Sequence, residues 1–336
     1  MTFVTLESRF KQFMASLSGV EPIDALLPPG SFENKHRADY LWADRRVVME
    51  LKTLKVDPSA KVEAELSQHQ DRNDFPLIYG TVELPKILRH LPDGDQINQR
   101  IYRNISRSVE TAVRSAETQI SDTEEIFSLL KPVGLLVLLN ESIDVLDPQV
   151  VVRRTSELLT RERTDGSRYT SIDFVWLLFE SHATQAPDGS MARPSILLEG
   201  PTACKFDWFI PAFNWLQTSW SAFNNTPLRH ASIEKIADIS FRSAKPDNPI
   251  PPDRQTRQEQ WERRYQMTPY LRSLSDDKVL EHGTQLVQLL TPYFLKDGPR
   301  VPMERLEPLF VKWSNFLQES RHRGLNLRHL QNKLQL

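Results

Sequence analysis

The chain has 336 residues, of which 39% are apolar and 26% are charged, and its formal net charge at pH 7 is −2. This length and composition fit a globular protein with one large domain, or a core with a second lobe. The near-neutral charge excludes a uniformly basic nucleic-acid-binding domain, although a local basic groove stays open. The single cysteine, Cys204, excludes an intrachain disulfide and a cysteine-based zinc site.

The hydropathy pattern predicts no transmembrane helix, because the sequence contains no run of about 18 apolar residues. The longest apolar run, VGLLVLL at residues 133–139, has the length of a buried strand. The first residues mix charges with apolar positions and lack the features of a signal peptide. We therefore expect a cytoplasmic protein that does not bind a membrane.

The first half of the chain predicts helices around one hairpin. Apolar residues at helical spacing predict a helix over residues 3–17. Two strands are predicted over residues 37–42 and 46–54, joined by a tight turn. A helix is predicted over residues 57–72, and the long periodic stretch at 95–130 predicts one or two more.

The second half begins with further α/β elements and then changes in character. Buried strands are predicted at 133–139, 169–183 and 193–200, and a helix at 147–162 with a proline in its first turn. After residue 204 come Trp208, Trp215 and Trp220, for which packing or a subunit interface is favoured over base stacking, and then a proline-rich linker. We predict an α/β core over residues 1–204 and a mostly helical C-terminal region over 205–336, accessory or for dimerisation.

The most informative segment is the hairpin RADYLWADRRVVMELKTLK, because it places charges within apolar strands. Side chains alternate along a strand, so Glu50 and Lys52 point to one face, and Met49 and Leu51 point to the core. Pairing of the two strands brings Asp39 close to Glu50. Buried carboxylates that lie together are costly and repel each other, and a divalent cation such as Mg²⁺ offsets both effects.

This pattern resembles the motif of the PD-(D/E)XK nuclease superfamily, which has the restriction-endonuclease-like fold. In ADYLW…VVMELK, Asp39 matches the first acid, Glu50 the second acid and Lys52 the lysine, while Ala38 stands at the position of the motif's proline. The order of helix, hairpin, helical stretch and strand also matches, over about residues 3–140. The resemblance implies an α/β core with a mixed central sheet flanked by helices.

The activity that the resemblance implies is metal-dependent hydrolysis of phosphodiester bonds. Asp39 and Glu50 would bind one or two Mg²⁺ ions, for which Mn²⁺ is a substitute, and the main-chain carbonyl of Leu51 would be a further ligand. Lys52 would orient the attacking water and offset the charge that develops on the phosphorane.

Members of this superfamily often add an acid and a glutamine from neighbouring segments. Glu33, six residues before Asp39, is the preferred additional acid, with Glu7 and Glu21 as alternatives. The candidate glutamines are Gln68, Gln70 and the more distant Gln119.

Basic residues around the motif are candidates for contacts with phosphate groups. Those near the hairpin are Lys35, His36, Arg37, Arg45 and Arg46. Arg103 and Arg107 share a helical face with Arg100 and Arg114, and this face predicts either phosphate contacts or a solvated surface with glutamate partners.

Together these features predict a Mg²⁺-dependent DNA endonuclease, by analogy in a restriction or anti-phage defence context. A homodimer would let two sites cut both strands, and membership of a multi-protein defence complex is the other expected arrangement. Two alternatives stay open. One is a catalytically inactive nucleic-acid-binding or assembly subunit with the same fold, and the other is an RNA-directed nuclease.

Overall fold

The protein is described by a computed structural model. The described residues are 4–28, 34–162, 169–186, 189–229, 239–244, 256–295, 299–328 and 330. The chain forms two compact units, one made of Met1–Val62 and Tyr102–Pro246, the other of Glu63–Ile101 and Asp247–Leu336. Within the described ranges, no helix combines the length and the apolar character that a membrane-spanning segment needs.

The first unit contains all the strands of the described residues. In chain order they are β1 (Val20–Pro22), β2 (Tyr40–Trp42), β3 (Val47–Thr53), β4 (Val133–Asn140), β5 (Phe174–Phe179), β6 (His182–Gln185), β7 (Met191–Ala192), β8 (Ser195–Glu199) and β9 (Phe241–Ser243). The central sheet has the order β1–β2–β3–β4–β5–β8, and a small sheet has the order β7–β6–β9. In the central sheet β3, β4 and β5 run parallel and the other pairs are antiparallel. The prediction of a mixed α/β architecture is therefore confirmed.

Helices lie on both faces of this sheet and form most of the second unit. In chain order they are α1 (Leu6–Ser16), α2 (Ile23–Leu26), α3 (Ser59–Ser67), α4 (Leu84–Leu88), α5 (Gly94–Ile105), α6 (Arg107–Ile126), α7 (Pro148–Thr160), α8 (Phe209–Phe223), α9 (Arg257–Met267), α10 (Asp276–Phe294) and α11 (Met303–Arg323). The start of α7 follows the sequence signals closely. Asp147 accepts a hydrogen bond from the Val150 N–H at 2.9 Å. Pro148 occupies the first helical position, where a backbone N–H would make no hydrogen bond within the helix, so the lack of an N–H in proline costs nothing.

Successive side chains of β3 point to opposite faces of the central sheet, and a different layer of helices covers each face. Met49 and Leu51 enter an apolar core that β4, β5, α1 and α8 complete. On the other face α6 packs against β3 and β4, and α7 packs against α6. Glu50 and Lys52 point towards this second layer, so the predicted separation of core and charged faces is confirmed.

The helix α8 places the tryptophan-rich segment against the sheet. Trp220 packs against Phe10 at 5.4 Å and Phe13 at 5.2 Å between ring centroids, while Trp215 is 49% exposed. The predicted boundary after residue 204 therefore does not coincide with the division into units. Residues 205–246 belong to the first unit because the aromatic side of α8 covers its sheet.

Several predicted elements are shorter in the structure. The helix expected over 57–72 spans Ser59–Ser67, and the stretch at 95–130 divides at Ser106 into α5 and α6. The turn between β2 and β3 contains three successive residues with positive φ, from Ala43 to Arg45. Left-handed conformations fit a tight reversal between two right-handed twisted strands.

The second unit is helical in its described C-terminal part, as the sequence predicts. Tyr265, Leu271, Val279 and Phe316 belong to its apolar core. The fully buried Glu319 accepts hydrogen bonds from the Tyr265 hydroxyl at 2.7 Å, from Arg323 at 2.7 Å and from Arg272 at 3.3 Å. This paired carboxylate ties α11 to α9 and to the short helix before α10, which explains how a charge is tolerated there.

Candidate active site

The site lies just before the start of β2, where the edge of β3 continues beyond its pairing with β2. Within β3, only Val47–Met49 pair with β2, and the register places Tyr40 opposite Met49. One residue earlier, the Asp39 N–H donates to the Met49 carbonyl at 3.1 Å. The Asp39 carboxylate accepts the Leu51 N–H at 2.8 Å, at the position that a longer β2 would occupy. The hairpin therefore brings Asp39 beside Glu50, as the sequence predicts.

Glu50 is a buried acid with an incomplete set of partners. Its side chain is 2% exposed, and Oε1 accepts a hydrogen bond from Lys52 Nζ at 2.7 Å. The other oxygen, Oε2, is buried and has no hydrogen-bond partner among the described residues. Burial, with repulsion from Asp39 as the next cause, raises the pKa of Glu50 to about 8. The ionised form of Glu50 therefore lacks a positive or hydrogen-donating partner at Oε2.

Lys52 is held in place by a second contact, from the helix α6. Its ammonium donates to Gln119 Oε1, which also accepts from the Ser115 hydroxyl at 2.9 Å. The amide of Gln119 in turn donates to the Arg37 carbonyl at 2.8 Å. Gln119 is thus the predicted glutamine that the structure brings to the lysine.

The other two candidate glutamines do not make this contact. Gln68 and Gln70 are exposed and belong to the second unit. They were predicted because they follow Lys52 closely in the sequence. The contact that forms is made by Gln119 instead, because α6 packs against the face of β3 that carries Lys52.

Of the candidate additional acids, Glu7 lies nearest to the end of β3. From α1 it accepts hydrogen bonds from Lys11 at 2.8 Å, from Lys55 at 2.8 Å and from the Thr53 hydroxyl at 3.1 Å. The ammonium of Lys11 and then that of Lys55 lower the pKa of Glu7 to about 2. Glu7 therefore stays ionised on the α1 side of the sheet, while Glu50 lies on the α6 side.

The remaining two acids are placed elsewhere. Glu21 makes a two-point contact with Arg45, with distances of 2.7 to 3.2 Å. Glu33, the preferred candidate, lies outside the described residues.

The arginines of the turn lie far from Lys52. Arg46 stacks over Trp208 at 4.3 Å from its ring centroid, and Arg45, besides its contact with Glu21, lies 5.6 Å from the ring of Phe127. Arg46 and Lys52 are six positions apart along an extended strand, a distance of about 20 Å at the usual rise per residue. The expectation that these two arginines bracket the site is therefore corrected, because β3 carries them to its opposite end.

The residues that precede β2 run along α6 instead. Lys35 forms an ion pair with Glu125 at 2.5 Å, and the main-chain N–H of His36 donates to Asp122 at 2.7 Å. The guanidinium of Arg37 lies 3.8 Å from Asp24. The contacts of Lys35 and His36 hold the approach to Asp39 against α6, the helix that also supplies Gln119, whereas Arg37 contacts α2.

The predicted arginine face is interrupted because two helices meet at Ser106. Arg100 pairs with Glu65 at 2.7 Å, and Arg114 pairs with Glu110 at 2.5 Å. For these two residues the interpretation as a solvated surface with glutamate partners is the better one.

Arg103 and Arg107 have different surroundings. Arg103 is exposed on α5. Arg107 is the first residue of α6 and lines a groove that also contains Lys52. The structure therefore connects Arg107, but not Arg100 or Arg114, with the neighbourhood of the motif.

The donor set of the site is small for a Mg²⁺ ion. Within the described parts of the chain, no group of three or more His, Cys, Asp or Glu side chains is arranged to hold a metal ion. Asp39 and Glu50 nevertheless supply two adjacent carboxylates, and Glu50 Oε2 is an acceptor for which the described part of the chain offers no donor. Mg²⁺ is typically bound by one or two carboxylates and completes its coordination with waters and substrate phosphates. The two acids fit that pattern.

Sequence alone missed some residues that lie close to the motif. Ser115 supports Gln119, and Lys55 pairs with Glu7 at the end of β3. Lys55 stands three residues after Lys52, so its nearness to the motif could have identified it. Nothing in the sequence around Ser115 distinguishes that residue.

Comparison of the chain with family models, with curated proteins and with solved structures finds no match.

Proposed function

We propose that this protein is a Mg²⁺-dependent endonuclease that hydrolyses phosphodiester bonds of DNA on a restriction-endonuclease-like core. One observation carries the proposal: a buried glutamate, one oxygen of which has no partner among the described residues, lies beside Asp39 and forms an ion pair with Lys52. Two acids and a lysine that converge where a sheet edge opens are the groups that metal-assisted phosphate hydrolysis needs.

The order of elements around the site supports the finer proposal about the fold. The helix α1 precedes an antiparallel hairpin, and β4 and β5 extend the sheet in parallel with β3. Helices cover both faces. This is the sequence of helix, hairpin, helix and strand on which the resemblance to the PD-(D/E)XK superfamily rests.

Asp39 and Glu50 would hold the cation, and the Leu51 carbonyl is a further candidate ligand. The N–H of Leu51 points to Asp39, and in an extended strand the N–H and C=O of one residue point to the same side. A bound Mg²⁺ supplies Lewis acidity, which polarises a phosphoryl oxygen and lowers the pKa of a water.

Lys52 would orient that water and stabilise the charge that develops on the phosphorus centre. Its ammonium has three N–H groups, of which one donates to Glu50 and one to Gln119. The third N–H is available for a phosphoryl oxygen or the attacking water. Because its other two bonds fix the ammonium, little reorganisation is needed when charge develops.

We expect Gln119→Leu to lower kcat for DNA cleavage by about 10-fold or more, with little change in KM. A hydrogen bond to a charged group contributes about 1.5–3 kcal/mol, and each 1.4 kcal/mol in the barrier corresponds to about tenfold in rate. Steady-state cleavage of a labelled duplex measures both constants. The matched control is Gln68→Leu on the second unit, which should leave both constants at wild-type values. A Gln119→Leu protein with normal kcat would contradict the role of Gln119 in positioning Lys52.

The proposed function is tested by incubating the purified chain with supercoiled plasmid DNA. We expect nicked and linear products with Mg²⁺ or Mn²⁺, and no products when the ions are removed with EDTA. Linear duplex, single-stranded DNA and RNA of the same sequence complete the substrate panel. Cleavage of RNA alone would replace DNA as the substrate. A protein that binds these polymers but cleaves none of them with either ion would overturn the proposed activity.

A further inference from the structure

A groove of about 490 Å³ opens at the C-terminal end of β3. Its walls come from β3 and the segment that follows it, from the first turn of α3, and from the junction of α5 and α6. Lys52 belongs to this groove, so the groove joins the site of Asp39 and Glu50.

The lining of the groove is basic. It contains Lys52, Lys55, Lys61 and Arg107, and none of the described residues that line it is acidic. Lys52 and Lys55 are paired with Glu50 and Glu7, whose carboxylates lie outside the lining. Lys61 and Arg107 form no ion pair within the described residues. Two positive charges for which the described segments supply no counter-charge therefore line the same open volume.

Two hydroxyl groups lie on the wall of the groove that α6 forms, those of Ser108 and Thr111. The hydroxyl oxygen of Ser108 is buried and has no hydrogen-bond partner among the described residues, and the Thr111 hydroxyl donates to the Arg107 carbonyl at 3.0 Å. Contacts with phosphate oxygens in this groove are therefore assigned to the cationic side chains, which are typical contacts of a nucleic-acid backbone.

The composition of the lining bears on whether bases stack in this groove. No aromatic side chain is found among the described residues of its lining, so it offers no surface on which a base could stack. Phosphate contacts fix the position of a strand, whereas contacts to base edges give sequence specificity.

We propose that this groove binds the DNA backbone phosphates next to the scissile phosphate, with Lys61 and Arg107 as the principal contacts, and that it does so without stacking on bases. The inference rests on the proposed function, because Lys52 joins the groove to the acidic site. It adds a binding subsite and assigns sequence-independent contacts to this part of the substrate path.

The test measures binding in the presence of EDTA, so that no cleavage is needed. The probes are a fluorescent DNA duplex and the same duplex with abasic sites along one strand, titrated at several salt concentrations. Lys61→Gln and Arg107→Gln are each expected to weaken binding by roughly 5- to 10-fold. The double variant should reduce the slope of log affinity against log salt by about 2, since each phosphate contact contributes about 0.9. Both DNA probes should show the same change.

The matched control is Lys131→Gln. Lys131 is an exposed lysine that precedes the start of β4, and β4 begins opposite the start of β3, at the other end of the sheet from the groove. This variant should bind as the wild type does. Wild-type affinity and salt slope in the double variant would overturn the groove, as would a loss of binding confined to the base-containing probe. If either of these two results is found and the wild-type protein cleaves DNA, the groove is contradicted but the proposed activity is not. Weakened binding in a chain that never cleaves would support the groove and count against the activity alone.

Discussion

Replacement of Lys52 by methionine is expected to lower the rate of DNA cleavage by about 10²–10³-fold while metal binding is retained. Loss of one preorganised donor at a developing negative charge has an effect of this size in other enzymes. Methionine keeps most of the length of the side chain but can donate neither to Glu50 nor to a phosphoryl oxygen. Single-turnover cleavage measures the rate, and calorimetric titration with Mn²⁺ measures the affinity.

The comparison with Asp39→Asn separates the roles of the two residues. Asp39→Asn should lose both Mn²⁺ affinity and cleavage, because it removes one of the two carboxylates that would hold the ion. Lys131→Met is the control for the removal of a lysine from the same unit, and it should cleave at the wild-type rate. A Lys52→Met protein that cleaves normally, or one that loses Mn²⁺ binding as completely as Asp39→Asn does, would contradict the assignment of Lys52 to the chemical step.

The arrangement of Asp39, Glu50 and Lys52 was predictable because short-range rules determine it. Alternation places Glu50 and Lys52 on one face, and a four-residue connection between two strands fixes which residues meet across them. Asp39 then falls beside Leu51 without any information from the rest of the chain. The same rules separate the charged face from the core that Met49 enters.

The parts that were not predicted depend on contacts between distant segments. Gln119 lies 67 residues after Lys52, and its choice over Gln68 required the knowledge that α6 returns to the face of β3. Nearness in sequence also misplaced Arg46, because an extended strand separates neighbours by more than 3 Å per residue. The division into units departs from the boundary at residue 204 for a similar reason, since the aromatic side of α8 packs on a sheet formed much earlier in the chain.

The burial of Glu50 leads to the second prediction of a large effect, which concerns stability in the absence of metal. An unperturbed glutamate has a pKa of 4.5, and in the folded protein burial and Asp39 raise the pKa of Glu50 to about 8. Between these values the folded state keeps a proton that the unfolded state releases. The free energy of unfolding therefore decreases as the pH rises. The stabilisation is fully present below the pKa of the unfolded state, and it is lost as the pH rises through the pKa of the folded state.

We expect wild-type protein in EDTA to lose stability on the order of several kcal/mol between about pH 5 and about pH 8. Glu50→Gln cannot ionise, so at the upper pH it should be more stable than the wild type, and near the lower pH it should be similar. Urea unfolding followed by tryptophan fluorescence measures these free energies. Burial also raises the pKa of Glu124, to about 7, so this group contributes to the pH dependence of both proteins. The difference in free energy of unfolding between the two proteins cancels that contribution and reports on Glu50.

The matched control is Glu7→Gln, for which the sign is opposite. Hydrogen bonds from Lys11 and Lys55 lower the pKa of Glu7 to about 2, so its ionised form stabilises the fold at neutral pH. Glu7→Gln should therefore be less stable than the wild type at neutral pH, where Glu50→Gln is more stable. A wild-type protein whose stability difference from Glu50→Gln does not change with pH would contradict the burial argument.

Addition of Mg²⁺ connects this stability effect with the proposed activity. An ion that binds only the folded state stabilises it, and it binds best when both carboxylates are ionised. Mg²⁺ should therefore raise the stability of the wild type most at the upper pH, where the unpaired charge of Glu50 is most costly. Glu50→Gln, which is already relieved of that charge, should gain little. Equal gains in both proteins would place the ion elsewhere, because only a cation at Glu50 removes the cost of its own burial.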